Sequence, residues 1–385
     1  MKMLRSKLPE SGKSVVYEIL RIAKEYKAVD LASAVPDFSM SNTLANLISK
    51  YIRQGKNQYA PEEGIQELRQ ALSQRLEDST GKKYDPDTEV TVTAGATEAI
   101  WAAISAVVHE DDEVMIFEPA EDNYVPAVRM NGGTPIYITL KHPKYSIDWT
   151  EVNRSINQHT RMIIINNPHN PSGMMLSEDD LMKLQKIVAG NKIVVLSEET
   201  FSNIIYEKPH YSVARFPILS KQSVIVGSLG KGLNATGWKT GYVLAPVDYM
   251  GEIRKMHNFI CNGSNTPFQY AAADYFRKKN EPEILQIREF YRQKRDFMCS
   301  LFKGSKYKIL PTESTYFQTI DCSAVSPEND KDFAMRLVKD FGVAVIPMST
   351  YYHDRGKSNI IRVCFARDND LIEKGVNALL EVEKA

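Results

Sequence analysis

Apolar residues recur along this chain with two different periods, and the switching between them predicts an architecture. In "IQELRQALSQRL" (65–76), Ile65, Leu68, Leu72 and Leu76 fall on one helical face. "EVTVTAG" (89–95) then reads as a strand and "ATEAIWAAISAVVH" (96–109) as a helix. "DEVMIF" (112–117) and "RMIIINN" (161–167) are further strands, the second apolar throughout, as expected of a strand covered on both faces. Ser177 to Asp180 form a capping-box-like start. The helix that follows turns Leu181, Leu184, Ile187 and Val188 inward, and Gly190 suits its end. "KIVVLSEE" (192–199), "QSVIVGS" (222–228) and the apolar run "YVLA" (242–245) continue the series of strands. Such alternation predicts an α/β fold with a mostly parallel sheet.

From about residue 275 the pattern changes. A long charged helix is expected over "EPEILQIREFYRQKRDFMCSLF" (281–302), then short strands at "STYFQTI" (314–320), "GVAVIP" (342–347) and "IIRVCFA" (360–366). This reads as a smaller α+β domain. The amphipathic helix "SVVYEILRIAKEY" (14–26) and the extended "DLASAVPDF" (30–38) are expected to pack with it. The division is therefore a large α/β domain over 40–275 and a small domain from 1–39 with 276–385.

Composition narrows the class. With 385 residues, 43% of them hydrophobic, the chain is long enough for a large core in two parts. Lys and Arg balance Asp and Glu, so the net charge is zero and no nucleic-acid footprint is expected. No apolar run approaches the length of a membrane span. The N-terminus has no signal-peptide h-region, and Glu10, Glu18 and Glu25 argue against a transit peptide. Cys261, Cys299, Cys322 and Cys364 form no CxxC pair and read as free thiols, so a cytoplasmic protein is expected. His109, His142, His159, His169, His210, His257 and His353 show no ligand spacing, and no metal is expected.

Candidate chemistry sits where strands end, which is where open α/β sheets bind ligands. "TAGATEA" (93–99) opens a helix with small residues whose backbone N–H groups suit an anion. "NNPHNPSG" (166–173) is a Pro/Gly turn that projects Asn167 and Asn170. "SEETF" (197–201) puts Glu198 at the end of an apolar strand, where a carboxylate needs a partner. "SLGKGLNATGWKTGY" (228–242) holds Lys231 and Lys239 among glycines, without the Ser or Thr of a Walker loop. Taken singly, these are equally an ordinary helix start, a turn, a solvated strand end and a surface loop. Together they suit a phosphorylated, cationic-ring cofactor held covalently through a lysine, and pyridoxal 5′-phosphate has those properties.

At this point the chain resembles the fold-type I pyridoxal-phosphate aminotransferases of class I/II, and looks closest to the methionine and kynurenine aminotransferases. The matching segments are "VPDF", "NQYAPEEGIQELRQAL", "EVTVTAGATEAI", "DDEVMIFEP", "NPHNPSG", "SLGKGLNATGWKTGY", "YRQKRD", "STYF" and "IRVCFA", in family order over nearly the whole chain. The resemblance implies a seven-stranded, mostly parallel sheet and a homodimer with shared active sites. It implies that Lys231 forms the Schiff base and moves the substrate α-proton. Ser228 and Lys239 would bind the phosphate with the backbone of Ala96 and Thr97. Asn170 would reach the ring hydroxyl oxygen, and Arg362 the substrate α-carboxylate, with Asn170 and Ala34 beside the substrate. Tyr59 would cross to the partner's phosphate, and Asn265 and Phe268 lie in a segment bordering the neighbouring site.

Three positions depart from that pattern. Glu198 stands where the family has the aspartate that faces the ring nitrogen. Phe201 replaces a tyrosine that donates to the ring oxygen, a loss that makes the Schiff-base nitrogen more basic. Glu121 replaces the aromatic that stacks on the ring, leaving Tyr124 as the candidate for that face. Ala34, where glycine is frequent, is a lesser change. The reading favoured is transfer of an amino group from a neutral, sulfur-containing or aromatic L-amino acid to a 2-oxo acid. A β-lyase acting on cysteine conjugates and a pyridoxal-phosphate-binding protein without turnover are the alternatives.

Overall fold

The computed structural model describes residues 6–8, 14–277, 281–354, 356 and 358–384. Parts of the N-terminal stretch read against a targeting segment, residues 1–5 and 9–13, lie outside them. Strands run in chain order as β1 (Val29–Asp30), β2 (Val90–Thr93), β3 (Glu113–Glu118), β4 (Thr134–Thr139), β5 (Thr160–Asn166), β6 (Val194–Glu198), β7 (Ser223–Ser228) and β8 (Gly241–Leu244). They continue as β9 (Lys308–Ile309), β10 (Phe317–Asp321), β11 (Val343–Ala344), β12 (Ile346–Pro347) and β13 (Ile360–Cys364).

Seven of these form one sheet in the order β2-β8-β7-β6-β5-β3-β4. Its pairings are parallel except those of β8, which is antiparallel to both neighbours. β5, β6 and β7 are buried almost throughout because helices cover both faces, which is why they read as unbroken apolar runs. The helix Ala96–Val107 packs on one face with Ala99, Ile100, Ala103 and Ile104 buried. Ser177 caps the helix Glu178–Val188 reciprocally with Asp180, as the sequence predicts. Strand β4 has no counterpart in the apolar pattern. It is the sheet edge, half-exposed and interrupted by Pro135, so its periodicity is weak.

A four-stranded antiparallel sheet, β12-β13-β10-β9, forms the second layer. The segment 342–347, expected as one strand, is split between two sheets. β11 pairs in parallel with β1, and β12 pairs with β13. The N-terminal segment thus joins the C-terminal part through β1, and the helix Val15–Glu25 buries Val15, Ile19, Ile22 and Ala23 there. The long charged helix spans Glu281–Leu301. No helix among the described residues is long and apolar enough to cross a membrane, and all four cysteines are free thiols.

Candidate active site

Strand register brings the expected residues to one edge of the large sheet. Gly241 pairs with Thr93 on one side and Ser228 on the other, so the ends of β2, β8 and β7 are level. The helix Ala96–Val107 starts directly beyond, with Gly95 at its N-cap in a conformation (φ 86°) that favours glycine. Gly95 has no side chain with which to cap the helix, so the first backbone N–H groups stay available. A Cβ at Gly241 would lie 2.7 Å from the nitrogen of Ala96 and 2.9 Å from the oxygen of Gly227. The absent side chain is what lets the helix start approach β7. Lys239 reaches the same place, since a Cβ on Gly95 would lie 3.6 Å from its Nζ. Lys239 is held there in the left-handed region (φ 48°) after Trp238, which stacks on the buried Phe268. The hydroxyl of Ser228 accepts from the backbone nitrogen of Lys231 at 3.3 Å. Uncapped N–H groups, a hydroxyl and an ammonium around a backbone cradle fit a phosphate.

Lys231 lies one short turn beyond β7. Its Nζ sits 4.6 Å over the Phe201 ring and 6.0 Å over that of Tyr316. It takes part in none of the ion pairs among the described residues. Burial pushes its pKa down, and the Arg362 charge adds to this, while the Glu121 and Glu198 carboxylates oppose it. A desolvated amine of this kind is more available as a nucleophile than a solvated one.

Glu198 ends β6 with its carboxylate buried. Tyr124 Oη donates to one oxygen, and Thr200 Oγ1 donates to the other at 3.0 Å. Burial raises its pKa, whereas the bonds from Tyr124 and Thr200 and the charge of Lys231 lower it. Tyr124, the candidate for the ring face, is therefore engaged as a donor to Glu198. Neither this bond nor the part played by Thr200 is visible in the sequence. The one available signal is that a buried strand-end carboxylate demands donors. Glu199 points the opposite way. Ser197, Ser212 and the Val213 backbone hold it, and burial lifts its pKa to about 7.

The turn at 166–173 divides its two asparagines. Asn167 holds the turn together, donating to Tyr211 O at 3.0 Å and accepting from Leu176 N at 3.0 Å. Asn170 alone faces the site. Its Nδ2 donates to Glu121, and its Oδ1 accepts from Arg362 Nη1 at 3.2 Å. His169 locks the turn to the Glu121 segment, with Nε2 against Pro119 O at 3.0 Å and Nδ1 against Ser172 Oγ at 2.7 Å. Burial pushes its pKa down to about 4, so it is a neutral structural ring.

Arg362 rises from β13, 4.0 Å over the Phe317 ring, and donates through Nη2 to Ala32 O at 3.1 Å. Its Nε is buried without a partner. A buried guanidinium with an unmatched N–H is a receptor for a carboxylate. Ala34 lies alongside, its carbonyl accepting from Tyr316 Oη at 2.9 Å. Contacts and charge interactions thus link Lys231 to Ser228, Phe201, Glu198, Glu121 and Arg362, and Asn170 to Glu121 and Arg362, while Lys239 lies with Gly95 at the helix start that Ala96 and Thr97 open. Tyr59 does not join them. It is 87% exposed, on a loop tied to the start of the helix Thr266–Arg277 by Thr266 Oγ1 and Gln58 O at 2.7 Å. Asn265 caps that helix start, accepting from Phe268 N at 3.1 Å.

Comparison with known proteins bears on this arrangement. The family described as aminotransferase class I and II matches residues 26–379. A methionine aminotransferase of Escherichia coli is 40% identical over 365 residues, which cover 94% of each chain. A kynurenine–oxoglutarate transaminase of Dictyostelium discoideum is 30% identical, covering 97% of this chain and 95% of that one. A solved Escherichia coli structure reported to identify a methionine aminotransferase function superimposes over the whole of both chains with a TM-score of 0.95 and 38% identity.

Proposed function

The chain belongs to the class I and II aminotransferase family, and from that premise we propose that Lys231 carries pyridoxal 5′-phosphate while an amino group passes from a neutral, sulfur-containing or aromatic L-amino acid to a 2-oxo acid. The observation that carries this reading is the placement of the Lys231 amine: desolvated, in no ion pair among the described residues, one turn beyond Ser228 and acted on by the Arg362 charge. The methionine and kynurenine preference follows the relatives, and the pocket supports it by offering Arg362 for the α-carboxylate and aromatic rings around it.

Bound, the cofactor supplies an aldehyde for amine condensation and a ring that withdraws electron density from the substrate Cα. The chain's own residues do the rest. Arg362 fixes the substrate carboxylate, and the flanking rings of Phe317 and Tyr351 exclude water. Lys231 Nζ accepts the Cα proton, for which its lowered pKa suits it. Glu198, held by Tyr124 and Thr200, is the carboxyl that would hold the ring nitrogen protonated.

We also infer a homodimer in which Tyr59 reaches the partner's phosphate. Tyr59 and Phe259 are 87% and 89% exposed, and the bond between His257 and Glu62 O joins the loop that carries Tyr59 to the helix Val247–Ile260 that carries Phe259, which leaves two large aromatic rings in solvent. The two-domain division at about 40 and 275, and a cytoplasmic location with four free thiols, complete the reading. Single-turnover absorbance with a panel of amino acids tests it. Loss of the cofactor's initial absorbance with stoichiometric 2-oxo acid release supports transamination. Pyruvate and ammonia from a β-substituted substrate point to the lyase. No spectral change with any amino acid refutes turnover altogether.

A further inference from the structure

Arg362, Asn170 and Glu121 form a chain of hydrogen bonds. Arg362 Nη1 donates to the amide oxygen of Asn170, whose amide nitrogen donates to Glu121 Oε1. One amide group therefore separates a cationic fork from a carboxylate. An amino acid in its zwitterionic form carries a carboxylate and an ammonium on a single carbon, which is the charge arrangement complementary to this pair. We propose that Glu121 is an acid–base residue of this site, its carboxylate accepting a proton from the ammonium group of the incoming amino acid. The inference rests on the aminotransferase reading and adds to it a step assigned to a residue of this chain.

The step is a proton transfer. The N–H bond of the substrate breaks, its electron pair stays on nitrogen, and an O–H bond forms on Glu121. The neutral amine then carries the lone pair that condensation with the cofactor's aldehyde would require. Two features of this chain make such a base useful. Phe201, buried against Tyr316 and Phe317, cannot donate a hydrogen bond to the ring oxygen. With Phe201 in that place, a nitrogen linking Lys231 to the cofactor would keep its own proton more firmly and would be a poor acceptor for the substrate's. Asn170, the remaining donor, is itself shared with Glu121. The substitutions at 121 and 201 are thus two halves of one change, in which proton acceptance moves from cofactor to side chain.

The groups facing Glu121 are Glu198, Lys231, Asp122 and Arg362, with the hydroxyls of Tyr124, Tyr316 and Tyr351. Burial raises its pKa to about 7. Glu198 and Asp122 add to that, and Lys231 and Arg362 oppose it. The three hydroxyls are raised and stay neutral through this range. The basic form of Glu121 therefore grows as pH rises through neutrality, and capture of the amino acid grows with it.

The test is the pH dependence of kcat/KM for the amino-acid half-reaction, followed by absorbance in the holoenzyme. The native chain should rise through an inflection at about 7. Glu121→Gln should be slower by roughly 100-fold at neutral pH, lack that inflection, and recover as alkali deprotonates the substrate in solution. Glu121→Asp should restore part of the rate and the inflection. A readout without substrate is the absorbance titration of the bound cofactor, whose midpoint should fall in Glu121→Gln because a carboxylate favouring the protonated form is gone. A loss equal at every pH, an unchanged profile, or an unmoved midpoint overturns the proposal and leaves the aminotransferase reading intact. A native holoenzyme that releases no 2-oxo acid from any amino acid overturns both.

Discussion

The two parts of the proposed site are built on opposite terms. The part proposed for the phosphate is made of backbone: three level strand ends, an uncapped helix start and two glycines that permit close approach. The part proposed for the ring is made of side chains, and there Glu121, Glu198 and Phe201 depart together from the pattern the resemblance implies. The structure ties two of the three into hydrogen bonds, with Tyr124 and Thr200 on Glu198 and Asn170 on Glu121. A backbone site tolerates little change because no side chain can be exchanged to compensate. A side-chain site can be rebuilt piecewise, provided each buried polar atom finds a new partner.

Five substitutions would break or sharpen that contrast. The largest effect belongs to neither end but to the amine between them. Lys231→Ala should abolish the visible absorbance of the purified holoenzyme, remove the reducible adduct at that position, and cut turnover by roughly 10⁴-fold or more. Retention of a reducible adduct elsewhere on the chain would falsify the assignment of the nucleophile.

At the phosphate end, Gly241→Ala forces a methyl against Ala96 N, Gly95 C and Gly227 O, none of which belongs to a side chain that can rotate away. Overpacking of this kind costs about 1–3 kcal/mol, and cofactor affinity should fall by about 10- to 100-fold. Urea unfolding and equilibrium dialysis report the two quantities. Full stability with native affinity would show that the cradle yields.

At the ring end the costs should be smaller. Tyr124→Phe removes one donor to Glu198, and a hydrogen bond to a charged group contributes about 1.5–3 kcal/mol. We expect a roughly tenfold loss of cofactor affinity and a further rise in the Glu198 pKa. Thr200→Val, with nearly the same shape, should act in the same direction and less, since Tyr124 remains. If Thr200→Val weakens binding more than Tyr124→Phe, Glu198 is held mainly from the Thr200 side. Phe201→Tyr should change affinity least. By restoring a donor near the ring oxygen it should lower the pH at which the cofactor's absorbance changes. A midpoint that rises instead would show that the new hydroxyl points away.

Much of this was legible before the structure. The buried strands β5, β6 and β7 announce themselves as apolar runs because both of their faces are covered. The polar clusters at their ends stand out against those runs. The edge strand β4 was not legible, since a half-exposed strand with a proline carries no clean period. Nor was the division of labour in the 166–173 turn, where Asn167 and Asn170 look alike and only the packing against Tyr211 and Leu176 turns one of them inward. The role that the resemblance gives Tyr59 lies across an interface, so nothing in the pattern of a single chain explains why this aromatic ring is 87% exposed.

By itself the sequence determined the α/β order of elements, the lysine, and the small residues of the anion cradle. Periodicity and glycine placement are local properties, written where they act. Only the tertiary structure decided which side chains satisfy Glu198 and Glu121. Their partners come from residues up to 74 and 49 positions away, and a buried carboxylate states that it needs a donor without saying where in the chain the donor lies.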